Sequence, residues 1–460
     1  MKNSKIFLAN DIRGIFPDEI NEGFAEKLGW TLADYLGFQG SVVVSGDARE
    51  STPKLKEALC KGLNEMGVNT VDIGMGPTPM LYFTLANSKS FDLGIAITAS
   101  HNPPEFNGFK VCNEDGVSLS YENFFNAIET KIQLTKKDFK RKKMEAGNQS
   151  KGTHKIDIEL QDAYFSFLKE TAKSISPLNL VVEYGNGCTG RFREVLPFEA
   201  KHLHEEPKGN FPILNPDPTK EKSYEFVKKF IESNDAELAI VFDGDGDRVG
   251  FMGPDGNIIS PDLVMMMFFD DILKVKSPSV VLDVKISKAT SEYIEKKGGI
   301  CRLSKVGHSY IQELVLEENF DLAGELSCHY YFNDDYFGFD DGLYSAIRFL
   351  KIFSEMKSSG LDFDAIRNQY PTYHSSPEIR LKIERARHEG IFDELREFAI
   401  ASGADLLEID GIRAEFKDGW FLVRSSNTES KLSYRIEAQT KERLNSLKRS
   451  VEQIIERHRD

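Results

Sequence analysis

A chain of 460 residues is too long for one ordinary core, and length alone sets an expectation of about three or four domains. Its 40% hydrophobic and 28% charged content is that of a normal globular protein, and a net charge of −15 argues against nucleic acid or an acidic membrane surface as the main partner. A phosphorylated small molecule is not excluded, since a few local basic groups hold a phosphate on an acidic protein.

The segment Met1 to Phe16 carries Asp11 and Arg13 among its apolar residues and has no signal-peptide core. The apolar run Leu263 to Phe269 is far too short to cross a bilayer. Cys60, Cys112, Cys188, Cys301 and Cys328 are odd in number and lack metal-ligand spacing, which fits reduced thiols. A soluble, cytoplasmic protein is expected.

In chain order, Val42–Ser45 reads as a strand and Pro53–Met66 carries helical apolar spacing. The apolar run Phe91–Thr98 then reads as a buried strand delivering Ser100-His101-Asn102-Pro103-Pro104, followed by Asn107-Gly108-Phe109-Lys110. A serine on a loop leaving such a strand sits where open α/β sheets place their chemistry, although taken alone it reads equally as a helix N-cap before a turn. The polar stretch Lys136 to Thr153 has little apolar periodicity and predicts a first domain junction.

Strand-like Leu178–Glu183 and helix-like Tyr224–Ser233 precede a second buried strand, Glu237–Phe242. It delivers Asp243-Gly244-Asp245-Gly246-Asp247-Arg248. Three carboxylates this close repel one another unless paired, and the glycines let the backbone turn all of them to one point. A hard divalent cation resolves that repulsion, and Mg²⁺ is the oxygen-ligand choice where phosphate is handled. A calcium-binding EF-hand fails on its own template, with Arg248 where Gly is wanted and Pro254 where Glu is wanted.

Gly253-Pro254 predicts the next junction. A third strand-like run, Phe320–Ala323, delivers Gly324-Glu325-Leu326-Ser327-Cys328-His329, and Arg367 to Pro377 predicts the last junction. Beyond it the pattern changes to strands at Ile379–Ile383, Gly419–Val423 and Ser433–Ala438, with a helix after Thr440. Here Trp420–Val423 delivers Arg424-Ser425-Ser426-Asn427-Thr428, a phosphate cradle in which Arg424 offers a planar fork and Ser426, Asn427 and Thr428 short donors. The predicted domains are therefore 1–147, 148–253, 254–367 and 368–460, the first three α/β and the last α+β, turned toward one cleft. A faint repeat links the first two: Phe109–Cys112 with Asp115-Gly116 and Ser120 parallels Val249–Met252 with Asp255-Gly256 and Ser260.

The Ser100 heptapeptide, with the other three loops in the same order, resembles the phosphohexomutase superfamily: phosphomannomutases, phosphoglucomutases and phosphoglucosamine mutases. The resemblance covers nearly the whole chain. It implies three related α/β domains with mixed sheets plus a C-terminal α+β domain around a central cleft. It also implies reversible phosphoryl transfer between the 1- and 6-positions of hexose phosphates, through phospho-Ser100 and a 1,6-bisphosphosugar. In that resemblance Asp243, Asp245 and Asp247 hold Mg²⁺ with a phosphate oxygen on Ser100. Lys110 is a proton carrier assisted by His101, and Arg13, in Asp11-Ile12-Arg13-Gly14, is an active-site contact. Arg248, Gly307 and His308 (in Lys305-Val306-Gly307-His308), Glu325, Ser327, His329 and the Arg424 cradle are substrate contacts. The implied partners are hexose phosphates, not nucleic acid or membrane, and the implied assembly is a monomer or dimer.

The Glu-x-Ser-x-His pattern is closest to the bifunctional phosphomannomutase/phosphoglucomutase branch. The chain departs from the family at Asn10, where Tyr is usual, at Cys328, where Gly is usual and an added side chain is expected to narrow or re-aim the sugar loop, and at Ser425 and Ser430, where Pro is common. A phosphoglucosamine mutase ranks lower, because Leu326 stands where that branch commonly has Gln. A non-catalytic phosphosugar-binding protein would be favoured by loss of Ser100, Lys110 or a loop aspartate, and none is lost. A metal-dependent phosphatase would need a productive path for water.

Overall fold

The structure is a computed structural model and describes residues 5–233, 235–425 and 431–459. Its strands form four sheets, one per domain.

Three of the sheets share one plan. In the first, Ser41–Gly46 is flanked in parallel by Asn69–Met75 and by Leu93–Ile97, and Phe106–Asn113 returns antiparallel on Leu93–Ile97. In the second, Leu180–Glu183 is flanked in parallel by Lys201–Leu203 and Leu238–Phe242, and Val249–Met252 returns antiparallel. In the third, Ser279–Asp283 is flanked by Ile300–Ser304 and Leu322–Gly324, and Tyr330–Phe332 returns. Central strands such as Leu93–Ile97 and Leu238–Phe242 are buried at every position, which is why they read as unbroken apolar runs. The faint repeat is thus a real correspondence: both copies are the returning strand and turn of this plan. The fourth sheet is antiparallel, in the order His374–Ser375, Lys431–Ala438, Gly419–Ser425, Ile412–Phe416, Asp405–Leu407, with Ile379–Lys382 also on Lys431–Ala438. Helices His388–Ala401 and Lys441–Arg457 accompany it, the second capped by Thr440. The architecture is the expected one: three related mixed-sheet α/β domains and a C-terminal α+β domain.

Two expected junctions are displaced. The first sheet takes an edge strand from His154–Ile156, paired in parallel with Asn69–Met75, so the first domain runs past 147. That strand has three exposed residues and is held by backbone pairing and one side-chain contact, Thr70 Oγ1 with His154 Nδ1 at 2.8 Å, so no burial pattern announces it. The polar stretch from Lys136 is no linker either. Thr135 and Asp138 form a capping box that starts helix Lys136–Glu145, whose Phe139 is buried near Trp30. At the second junction, residues 253 and 254 lie inside a hairpin: Ile258–Ile259 pairs back on Phe251 and Met252, and the next helix begins at Pro261 behind the Ser260 cap. No described helix is long and apolar enough to cross a membrane.

Candidate active site

In each of the first three domains the chemistry-bearing loop joins the third strand of the plan to the returning fourth. That position puts the Ser100, Asp243–Arg248 and Glu325–His329 loops at corresponding sheet ends, where α/β folds present ligands.

The first two loops meet directly. Ser100, 1% exposed, donates its Oγ to Asp243 Oδ2 at 2.7 Å and lies 3.2 Å from His101 Nδ1. Its φ of +48° is left-handed, a region unusual for a residue with a Cβ. Thr98 Oγ1 accepts the Ser100 N–H at 2.9 Å, and Arg13 reaches the same loop through Ala99 O at 3.2 Å and Asn102 Oδ1 at 2.6 Å while paired with Asp11. Burial, then Arg248 and Arg13, hold His101 well below the usual imidazole range, so it is neutral near pH 7.

Asp243, Asp245 and Asp247 are all buried and each offers an oxygen within 4.8 Å of the others. Lys110, on the returning strand Phe106–Asn113, donates to Asp245 Oδ2 at 2.8 Å and pairs with Asp247. Burial opposes its charge, but the two carboxylates outweigh this and raise it well above the usual lysine range, so Lys110 is a fixed cation. Burial and then the neighbouring Asp247 and Asp245 push Asp243 well up. Asp245 Oδ1 and Asp247 Oδ1 are buried with no hydrogen-bond partner. An excess of enclosed, unpartnered carboxylate oxygen at one point fits a hard divalent cation.

The third loop meets the second through His329. Its Nδ1 lies 2.8 Å from Glu325 Oε2 and its Nε2 3.6 Å from Asp247 Oδ1. Burial and Arg248 press His329 down, but Glu325 and Asp247 outweigh them and raise it to about 10. An imidazolium has no lone pair for Arg248 Nε, 3.1 Å from Nε2, so these two cations share the Asp247 carboxylate rather than bond each other. Behind them Asp340, fully enclosed 3.7 Å from His329 and 3.9 Å from His308, is pushed up to about 7 by burial. His308 goes the other way, down to about 4, through burial and then Lys110 and His329.

A cleft of about 310 Å³ runs beside this cluster, lined by Asn10 and Arg13 from the first domain, Arg248 from the second, Lys285, Gly307, His308, Glu325, Ser327 and His329 from the third, and Arg380, Arg424 and Ser433 from the fourth. Ser100, Lys110 and the three aspartates lie behind its wall rather than on it. Arg424 is oriented by Asp410 Oδ2, which accepts its Nε at 3.1 Å and its Nη2 at 2.9 Å. Ser426, Asn427 and Thr428, expected beside it, lie outside the described residues. Cys328 does not narrow the cleft: it takes the left-handed φ of +70° that Gly would take, and its side chain is buried in the apolar core. Asn10 accepts from Ser309 Oγ at 2.5 Å, tying the first domain to the third-domain helix His308–Glu317.

Sequence reasoning missed Lys285, Arg380 and Ser433 in the cleft, Asp410 behind Arg424, and Asp47 and Arg49 under the Ser100 loop. A signal was available for two groups of them. Gly46-Asp47-Ala48-Arg49 and Val284-Lys285 each follow an apolar strand, as the recognised loops do, but the strand is the first of the shared plan rather than the third.

Four family models match in succession: phosphoglucomutase/phosphomannomutase alpha/beta/alpha domain I over residues 4–139, domain II over 162–256, domain III over 260–373, and the C-terminal domain over 378–454. A phosphomannomutase/phosphoglucomutase of Pseudomonas syringae is 35% identical over 447 residues, covering 95% of this chain and 92% of that one. A phosphoglucomutase of Neisseria gonorrhoeae is 34% identical over 461 residues, covering 98% and 96%. The crystal structure of a phosphoglucomutase/phosphomannomutase family protein from Burkholderia thailandensis superposes with a TM-score of 0.84 at 32% identity, covering 100% of this chain and 98% of that one. The chain belongs to the phosphoglucomutase/phosphomannomutase family of phosphotransferring isomerases.

Proposed function

We propose that the protein is a cytoplasmic hexose-phosphate mutase that moves a phosphoryl group reversibly between the 1- and 6-positions of mannose and glucose phosphates, through phospho-Ser100 and a 1,6-bisphosphosugar. The observation that carries this reading is the contact of Ser100 Oγ with Asp243 at the edge of a buried carboxylate cluster, beside a cleft to which all four domains contribute. The named activities of the relatives support it.

Phospho-Ser100 gives its phosphoryl group to the free hydroxyl of the bound sugar phosphate: the new sugar O–P bond forms as the Ser100 Oγ–P bond breaks. In the return step Ser100 Oγ attacks the other phosphate of the bisphosphosugar as the sugar O–P bond breaks; the Ser100 proton passes to neutral His101, whose Nδ1 is 3.2 Å away, and the departing sugar oxygen takes up a proton to become a hydroxyl, so no proton is gained or lost overall. The first transfer is the reverse: the sugar hydroxyl gives up its proton as Ser100 Oγ regains one. Lys110, kept protonated by Asp245 and Asp247, supplies positive charge and a hydrogen-bond donor. Asp243, Asp245 and Asp247 would hold Mg²⁺ with a phosphate oxygen of Ser100. Bound there, the ion neutralises the phosphoserine, which carries about −1.5 to −2 charge, and stabilises charge on the transferring oxygens.

Between the two transfers the bisphosphosugar turns over. Arg424, with Ser426, Asn427 and Thr428, grips whichever phosphate is not reacting, and Glu325 and Ser327 serve the sugar hydroxyls in both orientations. The test is mutase turnover with Mg²⁺ and a trace of glucose 1,6-bisphosphate on mannose 1-phosphate, glucose 1-phosphate and glucosamine 1-phosphate side by side. Comparable rates on the first two are expected. Strong preference for glucosamine 1-phosphate would move the protein to the sister branch, and absence of turnover on all three would leave a binding protein of the same fold.

A further inference from the structure

The Ser100 loop is gripped from below by a residue that does not line the cleft. Arg49 follows Ser41–Gly46, the first strand of the shared plan, and its side chain is 0% exposed. A guanidinium has five N–H donors in a fixed plane. Here each meets an acceptor, and four of the five acceptors are carbonyls of one short loop. Nη2 donates to Ser100 O at 2.8 Å and Asn102 O at 2.7 Å, Nη1 to Pro103 O at 2.6 Å and Phe106 O at 2.9 Å, and Nε to Asp47 Oδ2 at 3.0 Å. Asp47 in turn accepts Thr98 Oγ1 at 2.8 Å and Thr52 Oγ1 at 2.8 Å, and Phe211 of the second domain covers the guanidinium at 5.0 Å.

Ser100 needs such support. Its left-handed backbone is one that side-chain-bearing residues leave unless the surroundings hold them. Four carbonyls turned inward toward one cation fix the path of residues 100–106, and with it the direction of the Ser100 Oγ toward Asp243. Arg13 also contacts this loop, but it lines the cleft, so its loss mixes loop and substrate effects. Arg49 is absent from the cleft wall and isolates the loop term.

We propose that Arg49 is the positioning residue of the phosphoryl carrier: its five-donor grip holds the Ser100 loop in the conformation that gives and takes the phosphoryl group. The proposal rests on the reading of Ser100 given under Proposed function. A lysine keeps the charge but cannot span five acceptors, so R49K is the informative change. The expected result is a fall in kcat of about 10- to 100-fold with KM for glucose 1-phosphate within about twofold, the size of effect that a small misplacement of a reacting group produces. The rate at which glucose 1,6-bisphosphate phosphorylates Ser100, read by intact mass, is expected to fall by the same factor. A merely structural role would lower Tm and leave both rates of the folded protein unchanged, and that result overturns the proposal. If R49K does not fold, D47N loosens the same grip from the side of Nε and is expected to lower both rates by a smaller factor; unchanged rates in folded D47N likewise overturn it. Wild-type protein that takes no phosphate from the bisphosphosugar would show that the Ser100 reading itself had failed, before Arg49 is reached.

Discussion

The first three domains and the fourth are joined to one another in different ways. One apolar cluster runs through all of the first three: it includes Val43 and Ala96 of the first sheet, Val182 and Ile240 of the second, Val280 and Leu322 of the third, and most of helix Gly342–Ser358. The fourth domain keeps its own core, from Ile383 to Ile455, and touches the third through Val284, Trp420 and Leu422. Most of that seam is polar. Arg413 donates to Val284 O at 2.6 Å and Ile286 O at 2.9 Å, Lys288 to Phe416 O at 2.6 Å, and Ser287 and Trp420 both donate to Glu437. Shearing a close-packed core exposes apolar surface and leaves voids, whereas polar contacts exchange for water at a net cost of only about 1 kcal/mol each. The difference teaches how the proposed work is divided. Ser100, Lys110 and the three aspartates belong to the body with the continuous core. The proposed phosphate grip of Arg424 belongs to the domain joined to it mainly by polar contacts, the arrangement expected if that domain closes over a bound sugar phosphate.

Substitutions in the two bodies should therefore fail differently. The largest effect is expected from Ser100→Ala, which removes the phosphoryl carrier while leaving the cleft lining intact: activity should drop by at least about 1,000-fold. Retained turnover would end the mechanism. Asp245→Asn keeps the acceptor for Thr78 but removes a charge from the cluster, and a Mg²⁺ titration of activity should show affinity at least about 10-fold weaker. An unchanged titration would contradict the cation assignment. In the fourth domain, Arg424→Ala should raise KM about 10- to 100-fold, the value of a charge-assisted hydrogen bond, and equally for mannose and glucose 1-phosphates, because one grip is proposed to serve both orientations. Selective loss with one isomer would break the proposed division.

What the sequence disclosed follows the same physics. Loops such as Asp243–Arg248 were legible because several chemistry-bearing residues sit within a few positions and follow a strand buried on both faces. Arg49 and Lys285 were less legible, because each lies in a short loop with few chemistry-bearing neighbours and acquires meaning only when a distant segment folds over it: residues 100–106 for Arg49, the Arg424 side for Lys285. The sheet plan was legible from the alternation of apolar runs and helical spacing, but its edges were not. His154–Ile156 is recruited by backbone hydrogen bonds and the contact of His154 with Thr70, not by burial. Helix Lys136–Glu145 has only Phe139 and the stem of Lys143 buried, too few positions to mark a period, and its cap was the one local sign. The consequence of Cys328 depended on a backbone angle, and a left-handed residue sends its side chain to the face opposite the expected one.

The smallest expected effect tests the seam itself. Glu437 gathers it: Oε2 accepts Ser287 Oγ at 2.6 Å and Trp420 Nε1 at 2.8 Å, and Oε1 pairs with Arg435, which also reaches Asp262 at 3.2 Å. Glu437→Gln retains one carbonyl oxygen and the shape, but loses the charge that Arg435 faces and turns an amide N–H₂ toward one of the donors. Because the cluster around Ser100 is anchored in the other body, kcat is expected to stay within about twofold. The pose of the fourth domain should loosen, raising KM for both sugar phosphates about threefold, equivalent to roughly one weakened polar contact. A fall in kcat with unchanged KM would mean that the seam is coupled to the chemistry, and that the four domains act as one rigid unit rather than as three plus one.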